Sequence, residues 1–308
     1  MKLRGPEYIQ LYPTLKCNKD CGFCFNKGLP SEGEISLKEY SKMLDILSLQ
    51  GIRYIDIMGG EPFLVEDLTR IVRYTLQRGL RLNISTNAKA KERLRSFLSE
   101  FSGRVNIGIS INSIEDLHDT KEIIKGYSTI TKSLYRKPFD EELLGFIIAI
   151  SPSKHYLIYP DNLKAPENKE LSVAFFEFYL NYKKRYEGQG ISIVYCGGFI
   201  PDGSYINYRC PAGTTKLGIM PDGSVYPCNL FFGVNDFLLG NILTDDFDRI
   251  WNNPVLEEFR HFKTSACPLR ECLLYKLCRG GCPAHSLFVY GRLHGPDPRC
   301  LGAYQFFD

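Results

Sequence analysis

The stretch KCNKDCGFCFN, residues Lys16–Asn26, sets the interpretation of this sequence. It places Cys17, Cys21 and Cys24 with three and then two residues between them, shortly after an apolar run that predicts a first strand. A disulfide needs an even number of cysteines, and a structural zinc site usually has four ligands. A cubane iron–sulfur cluster has four irons, so three local thiolates leave one iron open for chemistry. The alternatives are zinc, held by two of these cysteines and a distant partner, or three thiols in the core.

The composition of the 308-residue chain limits the classes of protein to consider. The formal net charge of +3 is too small to indicate a nucleic acid or a membrane surface as partner. No apolar run reaches the roughly eighteen residues of a transmembrane helix, and the N-terminus has no hydrophobic signal region. Eleven cysteines without an export signal indicate metal ligands in a reducing compartment, so we expect a cytoplasmic protein.

The cysteines also suggest where the chain divides. Residues 1–204 hold four cysteines and residues 205–308 hold seven. This shift in composition predicts a large first domain over 1–204 and a small cysteine-rich domain over 205–308.

The first part alternates short apolar runs with helix-like segments. Six runs are interpreted as strands, namely 8–15, 54–60, 81–87, 105–112, 143–151 and 191–199. Helices are expected over 36–51, 65–79 and 167–186, the first with a capping box in which Glu39 follows Ser36 by three residues. Six β–α repeats predict an α/β fold with a parallel sheet, whose ligands gather at the carboxyl ends of the strands.

A second motif, MGGEP (Met58–Pro62), directly follows the second predicted strand. Paired glycines let a backbone approach a ligand closely, Glu61 offers a carboxylate, and Pro62 restricts the exit of the chain. Gly-Gly turns are common, so the signal depends on its position beside the strand that leads into the three-cysteine loop.

The CxxxCxxC loop, with Phe23 before its third cysteine, and the following GGEP resemble the radical S-adenosylmethionine (SAM) superfamily over about residues 6–200. The resemblance implies a partial (β/α)6 TIM-like barrel with a [4Fe–4S] cluster and SAM. Reductive cleavage of SAM then gives a 5′-deoxyadenosyl radical that abstracts hydrogen. The implied cluster ligands are Cys17, Cys21 and Cys24, and the implied contacts of the methionine amine are Gly59, Gly60 and Glu61.

Further SAM contacts follow from looser parts of the resemblance. STN (Ser85–Asn87) ends the third predicted strand, and SIN (Ser110–Asn112) ends the fourth, where Ser110 would face the ribose. Lys125 takes the place of an arginine for the methionine carboxylate, which keeps the charge but loses the bidentate fork. The cofactor contacts expected in addition to GGE are therefore Phe23, Ser85, Asn87, Ser110 and Lys125.

The C-terminal cysteines resemble the SPASM extension of this family. Cys210 and Cys228 flank a hairpin-like unit around Gly223, and the remaining cysteines are Cys267, Cys272, Cys278, Cys282 and Cys300. The one departure is four residues instead of two after Cys267. The resemblance implies Cys210, Cys228 and Cys282 at auxiliary cluster I and Cys267, Cys272, Cys278 and Cys300 at auxiliary cluster II. With the SAM cluster this makes three [4Fe–4S] clusters; a zinc ribbon is the alternative.

Two positions near auxiliary cluster I bear on the chemistry. Cys196 is the one cysteine without an assigned site, and interpreting it as a core thiol leaves cluster I with an open iron. Sulfatase-maturing relatives carry an aspartate base immediately after the second SPASM cysteine, but this chain has Asn229 there. That difference argues against sulfatase maturation and leaves the catalytic acid and base unassigned.

The expected function is modification of a ribosomally made peptide by a thioether, a carbon–carbon link or an excision. An open barrel side suits an extended chain, and an external donor such as flavodoxin or ferredoxin would supply electrons. Because few residues precede the first strand, recognition of a leader peptide would need a separate leader-binding protein or a different surface of this chain. The alternative is oxidative maturation of a small cofactor precursor such as a tetrapyrrole or quinone. An electron-transfer or zinc-binding scaffold is disfavoured by the intact cysteine loop and GGEP.

Overall fold

The fold is seen in a computed structural model of the chain. It describes residues 5–24, 26–29, 33–136, 138–150, 152–158, 185–186, 189–194, 210–261, 267, 270–271 and 280–298. None of the helices in these ranges is both long and apolar enough to cross a membrane.

The described strands form one sheet in the order β10-β9-β8-β1-β2-β3-β4-β5-β6-β7. Strands β1 to β8 are paired in parallel, and β9 and β10 extend the β8 edge as antiparallel strands. The strands are β1 Tyr8–Leu11, β2 Tyr54–Ile57, β3 Arg81–Thr86, β4 Asn106–Ser110, β5 Ile130–Leu134, β6 Lys154–Ile158, β7 Ile191–Val194, β8 Lys216–Ile219, β9 Ser224–Tyr226 and β10 Gly240–Asn241.

Five helices connect the parallel strands, as the alternation in the sequence predicts, namely α1 Leu37–Leu49, α2 Leu68–Gln77, α3 Lys91–Phe101, α4 Ile114–Gly126 and α5 Glu141–Ala149. Three shorter helices follow β10, namely α6 Phe247–Trp251, α7 Glu257–Arg260 and α8 Pro283–Tyr290. Short 3-10 turns cover Pro62–Leu64, Asn229–Phe231, Asn235–Phe237 and Pro254–Leu256. The capping box predicted at Ser36 is confirmed, since Ser36 Oγ accepts from the Glu39 amide and the Glu39 carboxylate accepts from the Ser36 amide. The predicted segment 167–186 lies almost entirely outside the described residues.

Alternation along the strands gives the sheet two chemically different faces. In β2, Ile55 and Ile57 are fully buried, whereas Tyr54 and Asp56 alternate with them and are only half-buried. Leucines and isoleucines of α1 and α2 belong to the same buried core as the isoleucines. We call the opposite face, which carries Asp56, the inner face. Strand register places Gln10 of β1 beside Asp56 on this face. On the other side, Asp56 pairs with Asn83 of β3, and Ser85 lies two residues further along that strand on the same face.

The prediction of a strand over 143–151 is wrong, because this segment forms α5. Its apolar run suggested a buried strand, but Asp140 accepts a hydrogen bond from the Leu143 amide at 2.8 Å and so caps a helix. An N-cap of this kind contributes about 1 kcal/mol. Phe146 is 47% exposed while Leu143 and Ile147 are buried, which is the one-sided burial of a helix and not of a central strand.

Strands β5 and β6 were missed, and β8, β9 and β10 of the cysteine-rich part extend the sheet further beyond the six predicted strands. Strands β5 and β6 pair in register from Ile130 to Leu134, and β5 has the alternating burial that ITKSL would have suggested. The first four predicted strands are confirmed with shorter ends. In the sixth, only Ile191–Val194 is described, and its remainder with Cys196 lies outside the described residues.

The cysteine-rich part of the chain continues the same sheet. Strand β8 pairs in parallel with β1 from Tyr8 to Leu11, and the buried Cys210, Cys228 and Cys282 belong to one core with residues of β1. The boundary at residues 204 and 205 lies outside the described ranges and stays a prediction.

Candidate functional site

The GGEP loop is packed directly against the segment that leads into Cys17. The Gly60 amide donates to the Thr14 carbonyl at 3.0 Å, and the Glu61 amide donates to the Lys16 carbonyl at 2.8 Å. Gly59 has a φ of 118°, and a Cβ there would collide with the Thr14 carbonyl oxygen. A Cβ on Gly60 would lie 2.6 Å from the Leu15 carbonyl carbon and closer still to the Lys16 oxygen. Glycine is therefore needed at both positions, because the backbone that leads into the cysteine loop occupies the space that a side chain would take.

Glu61 joins this loop to the end of β3. The residue is fully buried, and its carboxylate accepts from the Phe63 amide at 3.0 Å, the Thr86 hydroxyl at 2.7 Å and the Asn87 amide at 2.7 Å. Burial raises the pKa of Glu61, while these three hydrogen bonds oppose the rise. With three bonds from the protein, the carboxylate holds two strand ends together.

The three loop cysteines lie at the strand ends with their thiols half-buried or exposed, and none of them forms a disulfide. Asn87, one of the predicted contacts, donates from Nδ2 to Cys17 Sγ at 3.6 Å and to Asn18 Oδ1 at 2.8 Å. Burial raises the pKa of the Cys17 and Cys21 thiols, and Cys24 raises both further. Three mutually interacting thiols, with a side-chain amide aimed at one sulfur, form a donor set that fits an iron–sulfur cluster.

No group of three or more His, Cys, Asp or Glu among the described residues is arranged to hold a metal ion. The loop cysteines are consistent with this finding, because a four-iron cluster separates its thiolates more widely than one ion does.

A lysine that the sequence analysis did not identify lies on the inner face near the predicted serines. Lys132 of β5 extends across β4 and donates from Nζ to Ser85 Oγ at 2.6 Å. The path is open because Gly108 has no side chain, and a Cβ there would collide with the Lys132 methylenes. Ser110 is the strand partner of Lys132. Ser85, Ser110 and Lys132 are therefore brought together.

Lys125 is not brought to this group. It is exposed in the last turn of α4, just before β5 begins. The helix starts at the carboxyl end of β4, and its 13 residues extend about 20 Å toward the opposite edge of the sheet. Lys132 in β5, and not Lys125 in the helix, therefore lies beside the predicted serines.

Phe23, the aromatic residue of the cysteine loop, contacts the guanidinium group of Arg136. The guanidinium carbon lies 5.0 Å from the ring centroid, and the same guanidinium donates to the Asn112 carbonyl. Asn112 Oδ1 in turn accepts from the Leu134 amide at 2.9 Å. Arg136 was missed because it follows β5, a strand that the sequence analysis did not recognise.

The cysteine-rich part borders the same inner face. Asn229, the neighbour of Cys228, donates from Nδ2 to the Tyr12 hydroxyl and from its amide to Gln10 Oε1, each at 3.2 Å. Burial raises the pKa of Tyr12, and the nearby Cys24 and Cys228 add to the rise, so Tyr12 lies between the two cysteine groups.

The predicted auxiliary ligands are only partly described. Cys210, Cys228 and Cys282, the set assigned to auxiliary cluster I, are all buried, and the Cys282 amide donates to Asp297 Oδ2 at 2.8 Å. Of the set assigned to auxiliary cluster II, Cys267 is half-buried, whereas Cys272, Cys278 and Cys300 lie outside the described residues.

Comparison with known proteins agrees with both parts of this description. The family model of the radical SAM superfamily matches residues 11–134, and that of the SPASM iron–sulfur cluster-binding domain matches residues 210–283. Mycofactocin maturase MftC of Mycobacterium ulcerans is 26% identical over 94% of this chain and 86% of its own length. The subtilosin biosynthesis protein AlbA of Bacillus subtilis is 25% identical over 87% of this chain and 65% of its own length.

The fold is shared with SuiB of Streptococcus suis. The SuiB structure bound to S-adenosylmethionine has a TM-score of 0.76 at 21% identity and covers 97% of this chain and 78% of SuiB. A second SuiB structure, bound to the precursor peptide SuiA, has a TM-score of 0.75. A parallel α/β sheet with a three-cysteine loop clamped by GGEP at its carboxyl edge is the arrangement of a radical SAM enzyme. This chain belongs to the radical SAM enzymes that carry a C-terminal SPASM domain, and it is distantly related to peptide maturases.

Proposed function

We propose that this enzyme cleaves S-adenosylmethionine reductively and modifies a ribosomally made peptide by a thioether, a carbon–carbon link or an excision. The observation that supports the proposal best is the contact of Asn229 with Tyr12 and Gln10. This contact brings Asn229, the neighbour of Cys228, against strand β1, which supports the proposal that a substrate at the inner face meets both cysteine groups. The distant relation to peptide maturases favours a peptide over a small cofactor precursor.

The proposed cofactors are SAM and three [4Fe–4S] clusters. When bound, the first cluster supplies the electron that cleaves SAM to a 5′-deoxyadenosyl radical. Around it, Gly59 and Gly60 fix the start of the cysteine loop, Glu61 orients Asn87, and Asn87 donates to the Cys17 sulfur. A flavodoxin or ferredoxin is the proposed electron donor, and a separate leader-binding protein is the proposed second partner.

The function is tested with a short peptide encoded beside this gene. Reduced enzyme given SAM should form 5′-deoxyadenosine slowly alone and faster with the peptide, because hydrogen abstraction pulls cleavage forward. Mass spectrometry after anaerobic turnover should show that one residue of the peptide has lost hydrogen. An unchanged peptide together with stimulation by a porphyrin or quinone precursor would transfer the assignment to maturation of a small cofactor.

We also propose that Lys132, and not Lys125, provides the positive charge for the SAM carboxylate. Replacing Lys132 by alanine should weaken SAM binding by about 10- to 100-fold, because a hydrogen bond to a charged group contributes about 1.5–3 kcal/mol. Lys125→Ala is the matched control and should bind SAM as the unmodified enzyme does. Equilibrium dialysis of SAM against cluster-loaded protein measures both, and a loss confined to Lys125→Ala would restore the sequence-based assignment.

A further inference from the structure

Asp56 is a carboxylate on the inner face that the proposed site does not use. Its Oδ2 accepts from the Tyr8 hydroxyl at 2.6 Å. Its Oδ1 is shielded from solvent and has no hydrogen-bond partner among the described residues. A buried carboxylate oxygen without a partner costs stability, so its presence calls for an explanation.

The charged groups around Asp56 do not pair with it. Lys132 of β5 and Lys216 of β8 both lower its pKa electrostatically, but neither makes an ion pair with it within the described part of the chain. Lys132 instead donates to Ser85. Burial nevertheless raises the pKa of Asp56 overall.

Strand register connects Asp56 to the GGEP loop on one side and to a neighbour of Cys228 on the other. It precedes Gly59 by three residues, which places it about 10 Å along the strand from the GGEP loop. Its strand partner Gln10 is the residue that accepts from the Asn229 amide, beside Cys228. Asn229 cannot act as a base, whereas Asp56, the strand partner of the glutamine that Asn229 contacts, carries a carboxylate.

We propose that Asp56 is a catalytic residue that accepts the proton released when the peptide is oxidised, an inference that rests on the proposed function. Bond formation removes two hydrogens from the substrate. The C–H hydrogen leaves as an atom to the 5′-deoxyadenosyl radical, and the S–H, N–H or O–H of the second reacting group loses its proton to Asp56 Oδ1. An oxidised iron–sulfur cluster held by the SPASM cysteines would take up the remaining electron, and the new bond joins the two reacting atoms.

The decisive variant is Asp56→Asn, because an asparagine oxygen still accepts from Tyr8 but the side chain takes up no proton. The probe is the peptide that the unmodified enzyme modifies in the experiment above. We expect iron content and peptide-stimulated formation of 5′-deoxyadenosine to stay within about twofold, while cross-linked product falls at least about 100-fold. The matched control is Asp45→Asn, since exposed Asp45 also accepts from a tyrosine, Tyr74, at 3.2 Å.

The outcomes separate this inference from the proposed function. If the unmodified enzyme changes no peptide, the proposed function fails. If it changes the peptide and Asp56→Asn does so equally fast, the function stands and the role of Asp56 is wrong. Loss of hydrogen abstraction together with product, in a variant of normal iron content, would assign Asp56 to substrate binding and also overturn the inference.

Tyr8→Phe provides a test that does not require the asparagine variant to fold. The Tyr8 hydrogen bond lowers the pKa of Asp56, so removing it should raise that pKa further. A base must be ionised to act, and product formation should therefore lose activity at a higher pH than in the unmodified enzyme. Lys132 and Lys216, the other charged groups facing Asp56, are unchanged in this variant. An acid limb at the same pH in both proteins would contradict the inference.

Discussion

Replacing Cys17, Cys21 and Cys24 together by alanine should lower the iron content of reconstituted protein from about twelve to about eight per chain and abolish SAM cleavage. The physical reason is that these three thiols occupy one loop, apart from the buried Cys210, Cys228 and Cys282. Removing one ligand set should leave the other cysteines able to hold their clusters. Iron and sulfide analysis of anaerobically reconstituted protein, with an assay for 5′-deoxyadenosine, measures both effects.

The control for this experiment is Cys196→Ala, which changes a cysteine outside the ten assigned ligands. As a core thiol, Cys196 should leave the iron count unchanged and cost about 1 kcal/mol of stability. Bound zinc, or only about four irons in the unmodified protein, would contradict the proposal of auxiliary clusters. A lower iron count in Cys196→Ala would instead identify this cysteine as a ligand.

Replacing Gly60 by alanine should destabilise the protein by about 3 kcal/mol and reduce the iron held by the cysteine loop. The added Cβ would collide with the Lys16 carbonyl and lie 2.6 Å from the Leu15 carbonyl carbon. Both atoms belong to the backbone, which cannot move aside as a flexible side chain does. Since Lys16 directly precedes Cys17, relief of the collision must displace the first ligand. Thermal or denaturant unfolding and iron analysis measure the two effects.

Two other glycines serve as matched controls for this substitution. A Cβ on Gly126 or Gly145 would meet nothing within 4 Å, and both lie in helices. Alanine at these positions should leave iron content unchanged and stabilise the protein by about 0.5–1 kcal/mol. If Gly60→Ala were as stable as the two controls, the GGEP loop would not be packed as closely against residues 14–16 as described.

The sequence anticipated the elements whose signals are local. The capping box at Ser36 and the apolar strand that precedes GGEP depend on neighbouring residues, and both are confirmed. The same kind of reasoning failed over 143–151, where an apolar run of eight or nine residues is compatible with a strand or a helix. The Asp140 cap decides for the helix. Missing β5 in turn hid Lys132 and Arg136, which depend on that strand for their positions.

By itself, the sequence determined the class of chemistry, because cysteine spacing and GGEP specify which ligands are available wherever the chain places them. The tertiary structure alone decided how these residues meet. Lys132 reaches Ser85 only because β4 lies between them with Gly108 at the crossing point. Glu61, 25 residues before Thr86 in the chain, bonds to it only because β2 and β3 are neighbours. Likewise, Asn229 touches Tyr12 because β8 pairs with β1. Such contacts depend on strand order and register, which long-range packing sets and no local pattern encodes.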